Sequence, residues 1–254
     1  MRASQNRGIL LRMAHASDPS SIESRIAALP WPALQAELDA RGFATVPQLL
    51  RAAECAALRE LYPDERKFRS RIVMERHNFG RGEYQYFAYP LPPLVAALRE
   101  AAYPPLARIA NSWAERLGLD RRFPSQHTEL KAECEHLGQV RPTPLLLKYR
   151  AGDYNCLHQD LYGELVFPLQ LAVLLDQPGM DFSGGEFVIT EQRPRMQSRV
   201  EVVPLQRGDA VIFSVRERPV AGTRGDYRVQ MRHGVSRLHS GDRHTLGVIF
   251  HDAS

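Results

Sequence analysis

An imidazole and a carboxylate stand two residues apart in Cys156-Leu157-His158-Gln159-Asp160. Side chains alternate sides along an extended strand, so His158 and Asp160 point the same way. Together they offer two metal ligands on one face. A third ligand can come from a distant strand. His233 supplies a candidate, and His239, His244 and His251 crowd the same region and compete with it. Two imidazoles and one carboxylate leave open positions on one side of a metal, the arrangement used for oxygen chemistry at non-haem Fe(II). Arg243 follows His233 by ten residues. A buried guanidinium there makes a bidentate, charge-assisted pair with a carboxylate. Taken singly these signals are weak: His-x-Asp recurs by chance, and an arginine in an arginine-rich chain is often a surface turn residue.

The elements that position these residues change character along the chain. After Arg141 the texture is β, with runs at Pro144–Tyr149, Tyr154–Asp160, Leu165–Leu175, Gly185–Thr190, Val200–Pro204, Ala210–Val215, Tyr227–Ser236 and Thr245–His251. Turns rich in Gly, Pro, Asp or Arg separate most of them. About eight strands with no helix between them predict a jelly roll rather than a βαβ sheet. Residues 20–140 read as mainly helical. The spacing predicts helices from Ser20/Ser21 to Leu29 and over Trp31–Arg41, Leu50–Leu61, Leu94–Ala102, Leu106–Leu117 and Glu129–His136, with Pro104-Pro105 separating the fourth from the fifth. Short strands are expected at Ile72–Met74 and Tyr84–Tyr89. The organisation is thus a leader at 1–19, a helical half at 20–140 packed on the outside of a barrel, and the barrel itself at 141–254.

Taken in order, the motifs of the β half resemble the 2-oxoglutarate- and Fe(II)-dependent dioxygenases, in their prolyl-4-hydroxylase-like branch. Tyr149-Arg150-Ala151-Gly152 matches the family's Tyr-x-x-Gly, and His158/Asp160 its His-x-Asp. Gly184-Gly185-Glu186 matches its Gly-Gly-Glu strand, and Pro204 to Phe213 resembles its Pro-x-x-Gly-Asp-x-x-x-Phe with one extra residue before Gly208. The distal motif matches at His233, Val235, Gly241 and Arg243, with Leu238 in place of Val. The segments Arg76–Gly80 and Tyr84–Pro90 resemble a bacterial subgroup of the same family. The resemblance implies a double-stranded β-helix with Fe(II) held by His158, Asp160 and His233. It further implies that 2-oxoglutarate is a cosubstrate whose far carboxylate meets Arg243, with Tyr149 adding a hydrogen bond. O2 is the second cosubstrate, and ascorbate serves as an accessory reductant. The implied reaction hydroxylates an unactivated C–H while 2-oxoglutarate becomes succinate and CO2.

The substrate is less legible. The resemblance points to a prolyl or other residue of a protein or peptide, with a small molecule also open. Oxidative demethylation of nucleic acid is the alternative enzymatic reading. Against it, the dealkylating branch carries a second arginine six residues after the first, and position 249 here is Ile. A non-catalytic metal- or ligand-binding barrel acting as a sensor is a further alternative. Arg193–Arg199 and Arg216–Arg232 either attract an acidic partner or form solvated hairpins. Tyr84, Tyr86, Phe87 and Tyr89 read as packing between helices and barrel, or as a substrate platform. Cys156 shares parity with His158 and is expected as a small buried filler near the metal. His127, His136 and His251 read as structural, and His239 and His244 as turn or surface residues.

Composition bounds the rest. The 254 residues are 44% hydrophobic and carry 33 basic against 29 acidic groups, net +4. All basic residues except Lys67, Lys131 and Lys148 are arginines. Neither half has the single-sign excess of a phosphate-tracking surface. No apolar run approaches the roughly 18–20 residues that span a bilayer, so no membrane association is expected. Cys55, Cys134 and Cys156 make neither a disulfide framework nor a Cys-x-x-Cys zinc site, which fits a reducing cytoplasm. The start, Met1 to Ser17, holds an apolar stretch too short for a secretory signal. Nothing in the sequence sets the oligomeric state.

Overall fold

The computed structural model describes residues 21–254, so the expected leader lies outside the described residues. The Ser21 hydroxyl accepts the Ser24 amide at 3.2 Å and starts α1 (Ile22–Ala27). α2 (Trp31–Arg41) has Pro32 in its first turn and ends on Gly42. β1 (Phe43–Val46), α3 (Ala52–Glu60), β2 (Phe68–Val73), β3 (Gly80–Arg81) and β4 (Glu83–Phe87) follow. α4 (Pro93–Arg116) and α5 (His127–His136) complete the helices. The remaining strands are β5 (Leu145–Arg150), β6 (Tyr154–His158), β7 (Leu169–Leu174), β8 (Phe182–Gly184), β9 (Phe187–Gln192), β10 (Arg199–Val203), β11 (Ala210–Ser214), β12 (Glu217–Gly222), β13 (Gly225–Val235) and β14 (Leu238–Val248).

Two antiparallel sheets face each other as a jelly roll, the double-stranded β-helix. One runs β1-β11-β7-β14-β5-β4-β2, with β8 also on β14; the other runs β10-β9-β13-β6-β3, with β12 on β13. Strands from before residue 141 therefore extend both sheets. Strand parity divides the interior into two layers. Leu146, Leu171, Val173, Leu246 and Val248 face the helices and pack with Leu98, Tyr103 and Leu106 of α4. Their neighbours Tyr149, Ala172, Leu174 and Leu238 face the space between the sheets, with Phe187, Ile189 and Phe213 opposite.

Several local expectations are corrected. Pro104-Pro105 does not break the helix, because α4 runs continuously through both prolines. An interior proline costs about 3 kcal/mol. Here Tyr103, Leu106, Ile109, Ala110 and Trp113 are all buried along the same helix, and that apolar contact holds the segment helical. β1, β3, β8 and β12 are additions to the expected strands. β1 has only four residues, and its Phe43 to Val46 acquire strand character by pairing with β11. β14 starts at Leu238 rather than Thr245, so Arg243 sits within the strand and not at its start.

Arg99 and Asp252 form a buried ion pair at 2.7 Å, with side chains 2% and 1% exposed. Arg99 also donates to the Ile249 and Phe250 carbonyls. Arg99→Met leaves the carboxylate uncompensated and is expected to cost about 3–5 kcal/mol, read from urea unfolding. The double variant Arg99→Met/Asp252→Leu is expected to recover most of that loss.

Two buried histidines make stability pH-dependent. Nε2 of His127 donates to the Phe250 carbonyl at 2.9 Å, and Nδ1 of His251 accepts the Phe167 amide at 3.2 Å. Burial, helped by Arg99, holds His127 down at about 3 and His251 at about 4. Both roles are structural, as expected. Below about pH 6.5 the unfolded chain binds protons that the native chain refuses. Stability is therefore complete above that pH and falls as pH drops, by up to about 1.4 kcal/mol per pH unit for each histidine. The urea midpoint is expected to fall from pH 7 to pH 5 and to fall less steeply in His127→Gln.

Candidate active site

His158 closes β6, and His233 lies directly opposite it on β13 as its Cα partner. The two rings stand 4.2 Å apart between centroids. Asp160 lies just past the end of β6, with Oδ1 3.3 Å from His158 Nε2 and Oδ2 3.4 Å from His233 Nε2. One donor atom from each residue lies within 4.8 Å of the others. Donors about 2.1 Å from a common ion and at right angles to each other sit about 3 Å apart. The three residues therefore fit a metal ion, with one face left open.

The local chain explains the convergence. Nδ1 of His158 donates to the Cys156 carbonyl at 2.8 Å, which turns Nε2 toward Asp160. Phe213 and Phe187 flank the His233 ring at 4.5 and 5.9 Å. β13 bulges after His233, and Gly234 permits the approach of β6, since a Cβ there would lie 2.7 Å from the Asn155 carbonyl. Burial opposes charge on Asp160, yet hydrogen bonding with His158 and His233 outweighs it and holds the carboxyl well below its usual range. Burial and the His158 charge push His233 down. On His158 burial also opposes protonation, but Asp160 outweighs it and raises the group.

A cavity of about 350 Å³ connects these residues with Arg243. Arg243 is 2% exposed and is the Cα partner of Tyr149 across β14 and β5. Its Nη1 donates to Thr245 Oγ1 at 2.6 Å, while Nε has no partner. Among the described residues no carboxylate lies within 4 Å of its guanidinium. The Tyr149 hydroxyl is buried and likewise unpartnered, and burial raises its pKa, keeping it a neutral donor. Gly185 makes room for this arginine: a Cβ there would lie 2.2 Å from Leu238 and 3.1 Å from the Arg243 stem. A fully buried cation with unused donors on a cavity wall fits an anionic ligand.

All five residues singled out in the sequence thus line one cavity. Three others there went unread. Thr245 shares strand parity with Arg243. Gln170, whose Nε2 is buried and unpartnered, is the one polar residue in an otherwise apolar β7. Tyr162 donates to Asp160 Oδ1 at 2.7 Å from a loop that no periodicity marks.

Other candidates fall elsewhere. Cys156 is exposed at the cavity mouth, not a buried filler. His239 is exposed, as expected, and His136, read as structural, is exposed at the end of α5. His244 is no free surface residue, because Nδ1 meets buried Asp176 at 2.9 Å. His251 is buried and hydrogen-bonded in the interior. The aromatic cluster splits, with Phe87 in the helix-facing core and Tyr84 lining the cavity. Arg218 of the second arginine segment is 1% exposed and pairs with Glu191, so that segment is partly structural.

The fold matches solved structures at low identity. An oxidoreductase of the 2-oxoglutarate–Fe(II) oxygenase family from Burkholderia pseudomallei superposes with TM-score 0.52 and 15% identity, over 89% of this chain and 94% of that one. A Pseudomonas putida prolyl-4-hydroxylase gives 0.51 and 14%, over 85% and 96%. These likenesses show that the chain shares the fold of 2-oxoglutarate–Fe(II) oxygenase structures. The chain belongs to the Oxygenase-NA family, described as "Oxygenase, catalysing oxidative methylation of damaged DNA", whose pattern matches residues 82–253. It is also 46% identical over 168 residues to the uncharacterized protein Rv2227 of Mycobacterium tuberculosis, covering 66% of this chain and 72% of that protein. No helix among the described residues is long and apolar enough to cross a membrane.

Proposed function

We propose that the chain hydroxylates an alkyl C–H on a nucleic-acid base, with Fe(II) held by His158, Asp160 and His233 and 2-oxoglutarate held by Arg243 and Tyr149. The observation that carries the oxygenase chemistry is the buried Arg243 guanidinium, short of a carboxylate and in one cavity with the three metal-type donors. Bound iron, 2-oxoglutarate and O2 supply the oxidising power: one oxygen atom enters succinate as CO2 leaves, and the other becomes the new hydroxyl. Arg243 fixes one end of the cosubstrate, Tyr149 donates to it, and the apolar walls from Phe187, Phe213 and Leu147 exclude water from the reacting C–H. A hydroxylated N-methyl group then falls apart to formaldehyde and the bare nitrogen.

The substrate class follows the family's description, and the cavity mouth supports it. Asn78 and Phe79 line that mouth, Phe79 is 47% exposed, and His77 stacks on it at 5.3 Å. Exposed aromatic faces stack unpaired bases. Ile249 favours a second reading, hydroxylation of a prolyl or other peptide residue. It is 1% exposed and packs with Tyr86 and Leu145, where the nucleic-acid dealkylating branch has an arginine. An exposed Cys156 beside an iron site fits a reducing cytoplasm.

The test supplies Fe(II) and 2-oxoglutarate with methylated single- and double-stranded oligonucleotides or with proline-containing peptides. Succinate coupled to formaldehyde from an oligonucleotide is the expected result. A 16 Da gain on a peptide, with no response to any oligonucleotide, establishes the second reading instead. Absence of succinate even from uncoupled turnover marks a binding module rather than an enzyme.

A further inference from the structure

We infer that Tyr162 is a positioning residue that restrains Asp160 to a one-oxygen grip on the metal; this rests on the ligand set proposed above. The two Asp160 oxygens are not equivalent. Oδ2 lies 3.4 Å from His233 Nε2, whereas Oδ1 lies 3.3 Å from His158 Nε2 and also receives the Tyr162 hydroxyl at 2.7 Å. A carboxylate with both oxygens free can swing to hold a metal with both. That closes a position which a bidentate cosubstrate and O2 need. A hydrogen bond on Oδ1 opposes the swing and leaves Oδ2 as the ligand. Partners of this kind orient the residues that touch a metal.

The tyrosine is itself held in place. Tyr86 meets its ring edge-on at 6.2 Å, and Tyr84 in turn meets Tyr86 at 5.3 Å. The main chain is fixed by Gln139, which is fully buried and donates to the carbonyls of Tyr162 at 3.2 Å and Leu165 at 3.0 Å. Gln139 also accepts the Leu165 amide at 2.8 Å. Gly163 lies against this side chain, and a Cβ there would sit 2.5 Å from Gln139 Cδ. The stretch between β6 and β7 has no helix or strand, so Gln139 and the tyrosine file supply its order.

The experiment titrates the full chain with Mn(II), followed by electron paramagnetic resonance. 2-Oxoglutarate is then added to the Mn(II)-loaded protein. Wild type is expected to bind Mn(II) and Asp160→Ala to lose it, which checks the ligand set. Tyr162→Phe is expected to weaken Mn(II) binding about 10- to 100-fold and to weaken 2-oxoglutarate binding, although Tyr162 is not assigned to touch it. Thermal unfolding of the metal-free variant stays at the wild-type temperature. Wild-type affinities for both in Tyr162→Phe, with Asp160→Ala still deficient, overturn the inference and leave the ligand set standing. Failure of wild type to bind Mn(II) overturns both. Should Tyr162→Phe fail to fold, Gly163→Ala decides: it displaces Gln139 while keeping the hydroxyl, and it is expected to weaken Mn(II) in the same direction.

Discussion

Asp160→Ala is expected to abolish metal-dependent turnover of 2-oxoglutarate, by about a thousandfold or more, equivalent to about 4 kcal/mol. The carboxylate is the only anionic donor of the three, and its contacts with two imidazoles keep it ionised. Its removal leaves a divalent ion two neutral nitrogens and no charge to meet its own. His158→Ala and His233→Ala are expected to act in the same direction, since each removes a donor that faces Asp160 within 3.4 Å. Succinate formation and Mn(II) binding, measured side by side, check the set. Full metal binding and activity in His233→Ala would show that the third ligand lies elsewhere.

Arg243→Met is expected to have opposite effects on the empty and the loaded protein. Without cosubstrate, wild type keeps a charged guanidinium buried with Nε unpartnered. Burial lowers its pKa, with Tyr149 and the distant Asp176 and Glu186 opposing that only partly. A methionine of similar length removes this cost, so the metal-loaded variant without 2-oxoglutarate unfolds at a higher temperature than wild type. With 2-oxoglutarate the order reverses, because wild type gains a charge-assisted pair that the variant lacks. Loss of one partner of a buried charge pair costs about 2–5 kcal/mol, so KM for 2-oxoglutarate rises about 30-fold or more. Arg243→Lys keeps the charge but not the planar fork, and falls between. Equal 2-oxoglutarate-induced thermal shifts in wild type and Arg243→Met would remove Arg243 from the cosubstrate site.

The site was legible for reasons that belong to strands. A period of two puts His158 and Asp160 on one side from sequence alone. The distal His233 and Arg243 lie on strands whose partners are fixed by register, His233 opposite His158 and Arg243 opposite Tyr149. The helical half was legible where a terminal signal is chemical, as at Ser21 and Gly42. It was misread at Pro104-Pro105, where local propensity yields to burial on a sheet. Cys156 was misplaced because it lies near the open end of β6, where the inward side of a strand meets the cavity mouth and not packed side chains.

By itself the sequence determined the chemistry available: ligand types, their parity on each strand, a cation for a carboxylate, and alternating strands able to bury them. These are properties of residue type and short spacing, which the chain carries wherever it goes. Tertiary structure alone decided that the cation is unpaired, that Thr245 and Gln170 share its cavity, and that Tyr162 tethers one oxygen of Asp160. Each of those facts depends on which groups are excluded from water together, and that is set by packing between segments far apart in the chain.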